Sequence, residues 1–158
     1  MEPCISIPKP PQPEHLVPIP DFQTYGELVY TLPERYPSIR YSTLILASIG
    51  PTLAKLEGQV TFVGDIVLDV WELLDLDGGR ILNYSYEVYR AAEKILWYDP
   101  FEHPHVPELA GTFPHHKHIL PDIKHNRVPA LNISFEQPNL PFLIEEIERE
   151  ILPPSPPA

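Results

Sequence analysis

Between Tyr41 and Asp99, apolar and polar residues alternate with a period of two, the mark of strands with one covered face. In "YSTLILAS", Leu44 and Leu46 share one side, and Tyr41, Thr43 and Ile45 the other. "AKLEGQVTF" opposes Leu56, Val60 and Phe62 to Lys55, Glu57, Gln59 and Thr61. "DIVLDVWELLDL" aligns Ile66, Leu68 and Val70, and "ILNYSYEVY" sets Leu82, Tyr84, Tyr86 and Val88 against Asn83, Ser85 and Glu87. "KILWYD" is a short fifth candidate. The breaks between them (Gly50-Pro51, Gly64-Asp65, Asp77-Gly78-Gly79 and "AAE") suit antiparallel hairpins rather than helical crossovers. The pattern predicts a five-stranded antiparallel meander over roughly residues 41–99.

Toward the C-terminus the spacing becomes helical. In "NLPFLIEEIEREIL", Leu140, Leu143, Ile144, Ile147 and Ile151 form one apolar stripe, with Asn139 as cap, Pro141 in the first turn, and Glu145 and Arg149 as an i,i+4 pair. An apolar helix face and an apolar sheet face require each other, so the expected fold is α+β, a helix packed across an antiparallel sheet. "DFQTYGELVYTL" predicts a short helix starting near Asp21 or Thr24 and ended by Pro33.

Proline draws the boundaries. Of 22 prolines, seven lie in residues 1–20, four in the last six residues and eight between Pro100 and Pro141, whereas Thr52 to Asp99 has none. That reads as a proline-rich extended arm over 1–20, a single domain over 21–152, and a disordered tail over 153–158. The stretch from Pro100 to Pro129 reads as a long loop stiffened by proline. The net charge of −11 argues against a broad DNA-binding surface, yet "HHKHILPDIKHNR" carries Lys117, Lys124 and Arg127 against Asp122 alone, a local basic patch suited to RNA. One cysteine excludes an internal disulfide framework, no apolar run is long enough to span a membrane, and the start has no signal-peptide pattern. The expected location is cytoplasmic.

The chemistry concentrates in the loop. Six of seven histidines fall between His103 and His125. In an extended backbone His103 and His105 point the same way, as do His116 and His118, so the pairs can face each other if the loop folds back. Three readings stay open. Histidines can act as general acid and base on a phosphodiester, with Lys117 or Lys124 stabilising charge and Tyr84, Tyr86 or Tyr98 stacking on a base or donating a proton. They can hold zinc or another transition metal together with Asp99 or Glu102, although no cofactor is required by the first reading. Or they can simply order the loop and recognise a partner. Trp71 and Trp97 read as packing, and Glu72 and Glu87 as residues of an exposed face.

The stretches "NYSYEVY" and "WYDPFEHPHVPELAGTFPHHKH" resemble the TumE family, toxin-like members of bacterial and archaeal toxin–antitoxin pairs. The matches are Tyr84, Ser85 and Tyr86, then Asp99 and His103, then Phe113, Pro114, His115, His116 and His118. "GPTLA", "WYDP" and "QPNLPFLI" are similar to a cyanobacterial branch of that family, and the likeness covers about residues 40–150. Trp97 stands where the motif has arginine, Pro100 where it has asparagine, and "VPELAG" is two residues longer. The resemblance implies a toxin-related protein with a cognate antitoxin-like partner. Joined to the residue reading, it gives a histidine-dependent RNase with His103, His115, His116, His118, Lys117, Asp99 and Tyr86 as site residues. A partner-binding protein without catalysis and a His-liganded metal hydrolase are the alternatives.

Overall fold

The computed structural model describes residues 18–153; residues 1–17 of the expected arm and 154–158 of the expected tail lie outside the described residues. Helix α1, Phe22–Tyr30, begins at Asp21, whose carboxylate accepts the Thr24 N–H at 2.8 Å. Pro33 lies not at its end but in the first turn of a second short helix, α2, Leu32–Arg35, a position where its missing N–H loses nothing. Eight strands follow: β1 Ile39–Ser42, β2 Ile45–Ser48, β3 Leu53–Phe62, β4 Ile66–Asp75, β5 Arg80–Arg90, β6 Glu93–Asp99, β7 His116–Ile119 and β8 Arg127–Pro129, before helix α3, Leu140–Glu150. They form one antiparallel sheet in chain order, with β1 and β2 both on β3.

The meander and the covering helix therefore hold, and the count of five does not. The first expected strand is split at Thr43–Leu44. There the chain crosses Gly58, where a Cβ would lie 2.5 Å from the Thr43 carbonyl oxygen, so only glycine admits the approach. The remaining two strands come from the stretch expected to be a long loop, which turns back and adds β7 and β8 to the sheet.

The alternation is kept almost throughout. β4 buries every second residue, and α3 lays Leu140, Leu143, Ile144 and Ile147 against the same face, each burial contributing about 1.5–3 kcal/mol. Tyr25 and Val29 of α1 and Ile19 before it complete this core. In β5 the register slips between Leu73 and Leu74 of its neighbour, so that Ile81, not Leu82, points inward and Leu82 is exposed.

Glu72, expected on the open face, is buried within this core. It follows Val70 by two residues on the inward side of β4, and its carboxylate accepts one hydrogen bond from Tyr25 Oη and one from Tyr86 Oη. Asn139 Nδ2 donates to Tyr86 Oη at 3.0 Å and to the Ser134 carbonyl at 2.9 Å, so its side chain joins this network rather than capping α3. Burial raises the Glu72 pKa, with the two tyrosine hydrogen bonds opposing, and burial raises both tyrosines well above their usual value. One network thus ties α1, β4, β5 and the start of α3.

The turn joining β5 to β6 is Ala91-Ala92, with φ of 46° and 69°, a conformation that Asn-Gly adopts without strain. The double substitution Ala91→Asn, Ala92→Gly is expected to raise unfolding free energy by about 1 kcal/mol in urea titrations. Glu72 generates a second expectation. A carboxyl whose pKa is raised on folding adds stability below its unfolded pKa, and loses it as pH rises through the folded value. Glu72→Gln, which cannot ionise, should therefore gain stability relative to the parent as pH rises from 4 to 7. Parallel unfolding curves at both pH values check the direction.

Candidate functional site

The histidine stretch becomes regular in β7. It pairs with the end of β6, placing Trp97 opposite His118 and Asp99 opposite His116. Opposed residues of an antiparallel pair project to the same side and neighbours along a strand to opposite sides. Asp99, His116, His118 and Trp97 consequently share the face away from the helices, and Tyr98 and Lys117 share the helix face. The spacing His-Lys-His is what makes both imidazoles meet one carboxylate.

The cluster is tight. His118 Nε2 lies 3.0 Å from Asp99 Oδ2, His116 Nε2 lies 3.3 Å from Asp99 Oδ1, and the two Nε2 atoms are 3.2 Å apart. His116 and His118 are 1% and 3% exposed and Asp99 9%. Each ring is fixed from behind: His116 Nδ1 faces the Pro114 carbonyl at 3.1 Å and His118 Nδ1 the Lys124 carbonyl at 3.2 Å. Trp97 stacks on His118 with ring centres 4.4 Å apart, its indole N–H donating to Ser85 Oγ at 3.3 Å. Asp99, His116 and His118 are also the group of described residues that could hold a metal ion.

His103 joins from the other end of the proline-rich stretch, set edge-on to His116 at 4.9 Å and against Phe101 at 5.3 Å. His105 is exposed. Burial moves His103 and His116 below the ordinary histidine pKa. For His103 the Arg127 charge acts in the same direction, and for His116 the Pro114 carbonyl and Asp99 oppose the shift.

Other expected site residues go elsewhere. His115 precedes the strand and turns to the core side, its Nδ1 2.6 Å from Tyr84 Oη and its ring beside Phe135; burial lowers its pKa too. Lys117 Nζ forms a 2.6 Å ion pair with Glu146 of α3, and Tyr98 Oη donates to the same carboxylate. Tyr86 is held by Glu72 and Asn139. His125 sits exposed, with Nδ1 3.0 Å from Asp122.

Asp99, His103 and His118 open onto a cleft of about 1010 Å³. Trp71, Trp97 and Phe101 supply aromatic wall, and Lys94, Lys124 and Arg127 supply positive charge. Tyr84, one of the rings expected to stack on a base, is buried on the core side. Lys94 Nζ lies over the Trp97 ring, 4.7 Å from its centre. Among the described residues, Arg127 Nε is the buried side-chain nitrogen with no hydrogen-bond partner, and Arg127 pairs directly with His118 across β7 and β8. The sequence shows Arg127 as local charge, but nothing in it reveals that three residues beside a proline form a strand; Trp71 and Trp97 look like core until the open face is identified.

Fold and site together define a small α+β protein whose open sheet face carries a two-histidine, one-carboxylate cluster at the foot of an aromatic and basic cleft. The family model described as Toxin TumE matches residues 31–151, most of the chain, and the protein belongs to that family of toxins. No curated protein and no solved structure matches it. No helix among the described residues is long and apolar enough to cross a membrane.

The ion pair of Lys117 generates a test of its placement. Lys117→Met leaves Glu146 half-buried without its cation and is expected to lower unfolding free energy by about 1–3 kcal/mol, measured by urea denaturation.

Proposed function

We propose that this protein is the toxin of a toxin–antitoxin pair and acts on single-stranded RNA in the cleft beside Asp99, His116 and His118. The observation that carries the reading is the cleft itself: flat aromatic rings for bases, cations for phosphates, and a histidine–carboxylate cluster at its foot. Single-stranded nucleic acid is bound by this combination of stacking and charge. Arg127 adds to it, because a buried N–H without an acceptor costs about 1–3 kcal/mol, which a phosphate oxygen would relieve.

In this reading His103, held neutral near pH 7, accepts the proton of the attacking 2′-hydroxyl. That oxygen forms the new bond to phosphorus as the bond to the 5′-oxygen breaks. Arg127 and Lys124 offset the charge gathering on the phosphate. The departing 5′-oxygen takes its proton at the Asp99–His116–His118 cluster. Trp71 and Trp97 act as stacking platforms rather than packing.

Expression alone in a bacterial host is expected to arrest growth, with rescue by a small protein encoded beside it. Asp99→Asn and His103→Gln should abolish the arrest at equal soluble levels, and Arg127→Met should weaken cleavage of a labelled single strand at least about tenfold. Normal growth together with an intact RNA substrate would remove the reading. Tight binding of the neighbour without any cleavage would favour a partner-binding protein instead.

A further inference from the structure

The cluster of Asp99, His116 and His118 lacks one component. Each imidazole presents its Nδ1 to a backbone carbonyl, which accepts a hydrogen bond and so keeps the ring proton on Nδ1. Both Nε2 atoms then carry lone pairs, and they converge on each other and on an anionic carboxylate in a place nearly closed to water. Three electron-rich groups at 3.0–3.3 Å repel unless a cation lies among them. An added proton can bridge only one pair at a time.

The spacing decides which cation fits. Bonds of about 2.0–2.1 Å to nitrogen and oxygen at tetrahedral angles place donor atoms about 3.3 Å apart. The two Nε2 atoms here are 3.2 Å apart, close to that spacing, and each faces its own oxygen of Asp99, Oδ1 at 3.3 Å from His116 and Oδ2 at 3.0 Å from His118. We infer that His116 Nε2, His118 Nε2 and the Asp99 carboxylate bind one divalent transition-metal ion of the zinc type, its remaining positions open to water or a phosphate oxygen. Two imidazoles and one carboxylate suit such an ion and not magnesium, which prefers oxygen ligands. The carbonyls of Pro114 and Lys124 serve as the second layer that fixes ring orientation. Asp99 and His118 line the cleft, so a bound oxygen ligand lies toward it. In the RNA reading the ion takes the place of the cluster's proton at the departing oxygen; the binding itself is independent of that reading.

The test uses the full chain without a histidine tag. Metal content after purification without chelators, calorimetric titration with Zn²⁺ and visible absorption on titration with Co²⁺ are measured together. The expected result is one equivalent bound with a tetrahedral-type Co²⁺ spectrum. Asp99→Asn, which keeps the side-chain shape, should weaken binding at least about tenfold, and His118→Ala should abolish it. His125→Ala, at the exposed pair with Asp122, should change nothing. Circular dichroism establishes that each variant is folded, and the parent's stoichiometry and spectrum stand without any variant. Absence of stoichiometric binding in the parent, or unchanged affinity in folded Asp99→Asn and His118→Ala, overturns the inference. Metal bound with RNA untouched would sink the RNA reading alone. One equivalent of metal bound in the parent, with RNA cut equally well by metal-free protein after chelation, would leave the binding site standing and remove the ion from the cutting step.

Discussion

A β-ladder gives each residue one of two sides, and the site depends on how that choice falls between β6 and β7. With Asp99 opposite His116 and Trp97 opposite His118, one carboxylate, two imidazoles and an indole gather on the open face, while Tyr98 and Lys117 meet Glu146 beneath α3. A slip of one residue would reverse both sets, burying cluster residues under a helix and exposing the ion pair. The Lys117–Glu146 contact and the Tyr98 hydroxyl resist that slip from behind. The chemistry on one face is thus held in register by contacts on the other.

Two buried polar clusters among the described residues have different accounts. Glu72 has its hydrogen-bond partners in Tyr25 and Tyr86, with Asn139 on Tyr86, and it joins four elements of the core. In the Asp99 cluster two imidazole nitrogens and a carboxylate converge at 3.0–3.3 Å, beside an arginine whose Nε has no hydrogen-bond partner. Completed networks rigidify; unfinished ones are where ligands enter. Trp97 belongs to the second account. Its neutral ring covers His118 without bringing another positive charge to the cluster.

How much of this could be read in advance follows from element length. Ten-residue strands such as β3 and β4 repeat their alternation often enough to be plain, and the stripe of α3 is equally so. β7 and β8 span four and three residues among prolines, too short to stand out from a loop, although the shared direction of His116 and His118 was legible from their spacing. The inward turn of Glu72 obeys the period of its strand; its charge argued against the position, and the partners that make it tolerable come from α1 and β5. Ile81 and Leu82 exchanged sides because a bulge adds one residue where the pattern supplies no warning. The parting of His115 from His116 is the same point in reverse, since the strand begins between them.

The two rims of the sheet are unlike the broad middle. On one side β8 stops at Pro129, which has no N–H to offer a newcomer; on the other, β1 and β2 are four-residue pieces interrupted opposite Gly58. Neither rim gives a stranger's backbone a long straight template. Short, interrupted or proline-ended edges thus offer little to backbone pairing, even though one of these rims exposes Tyr41 and Ile45.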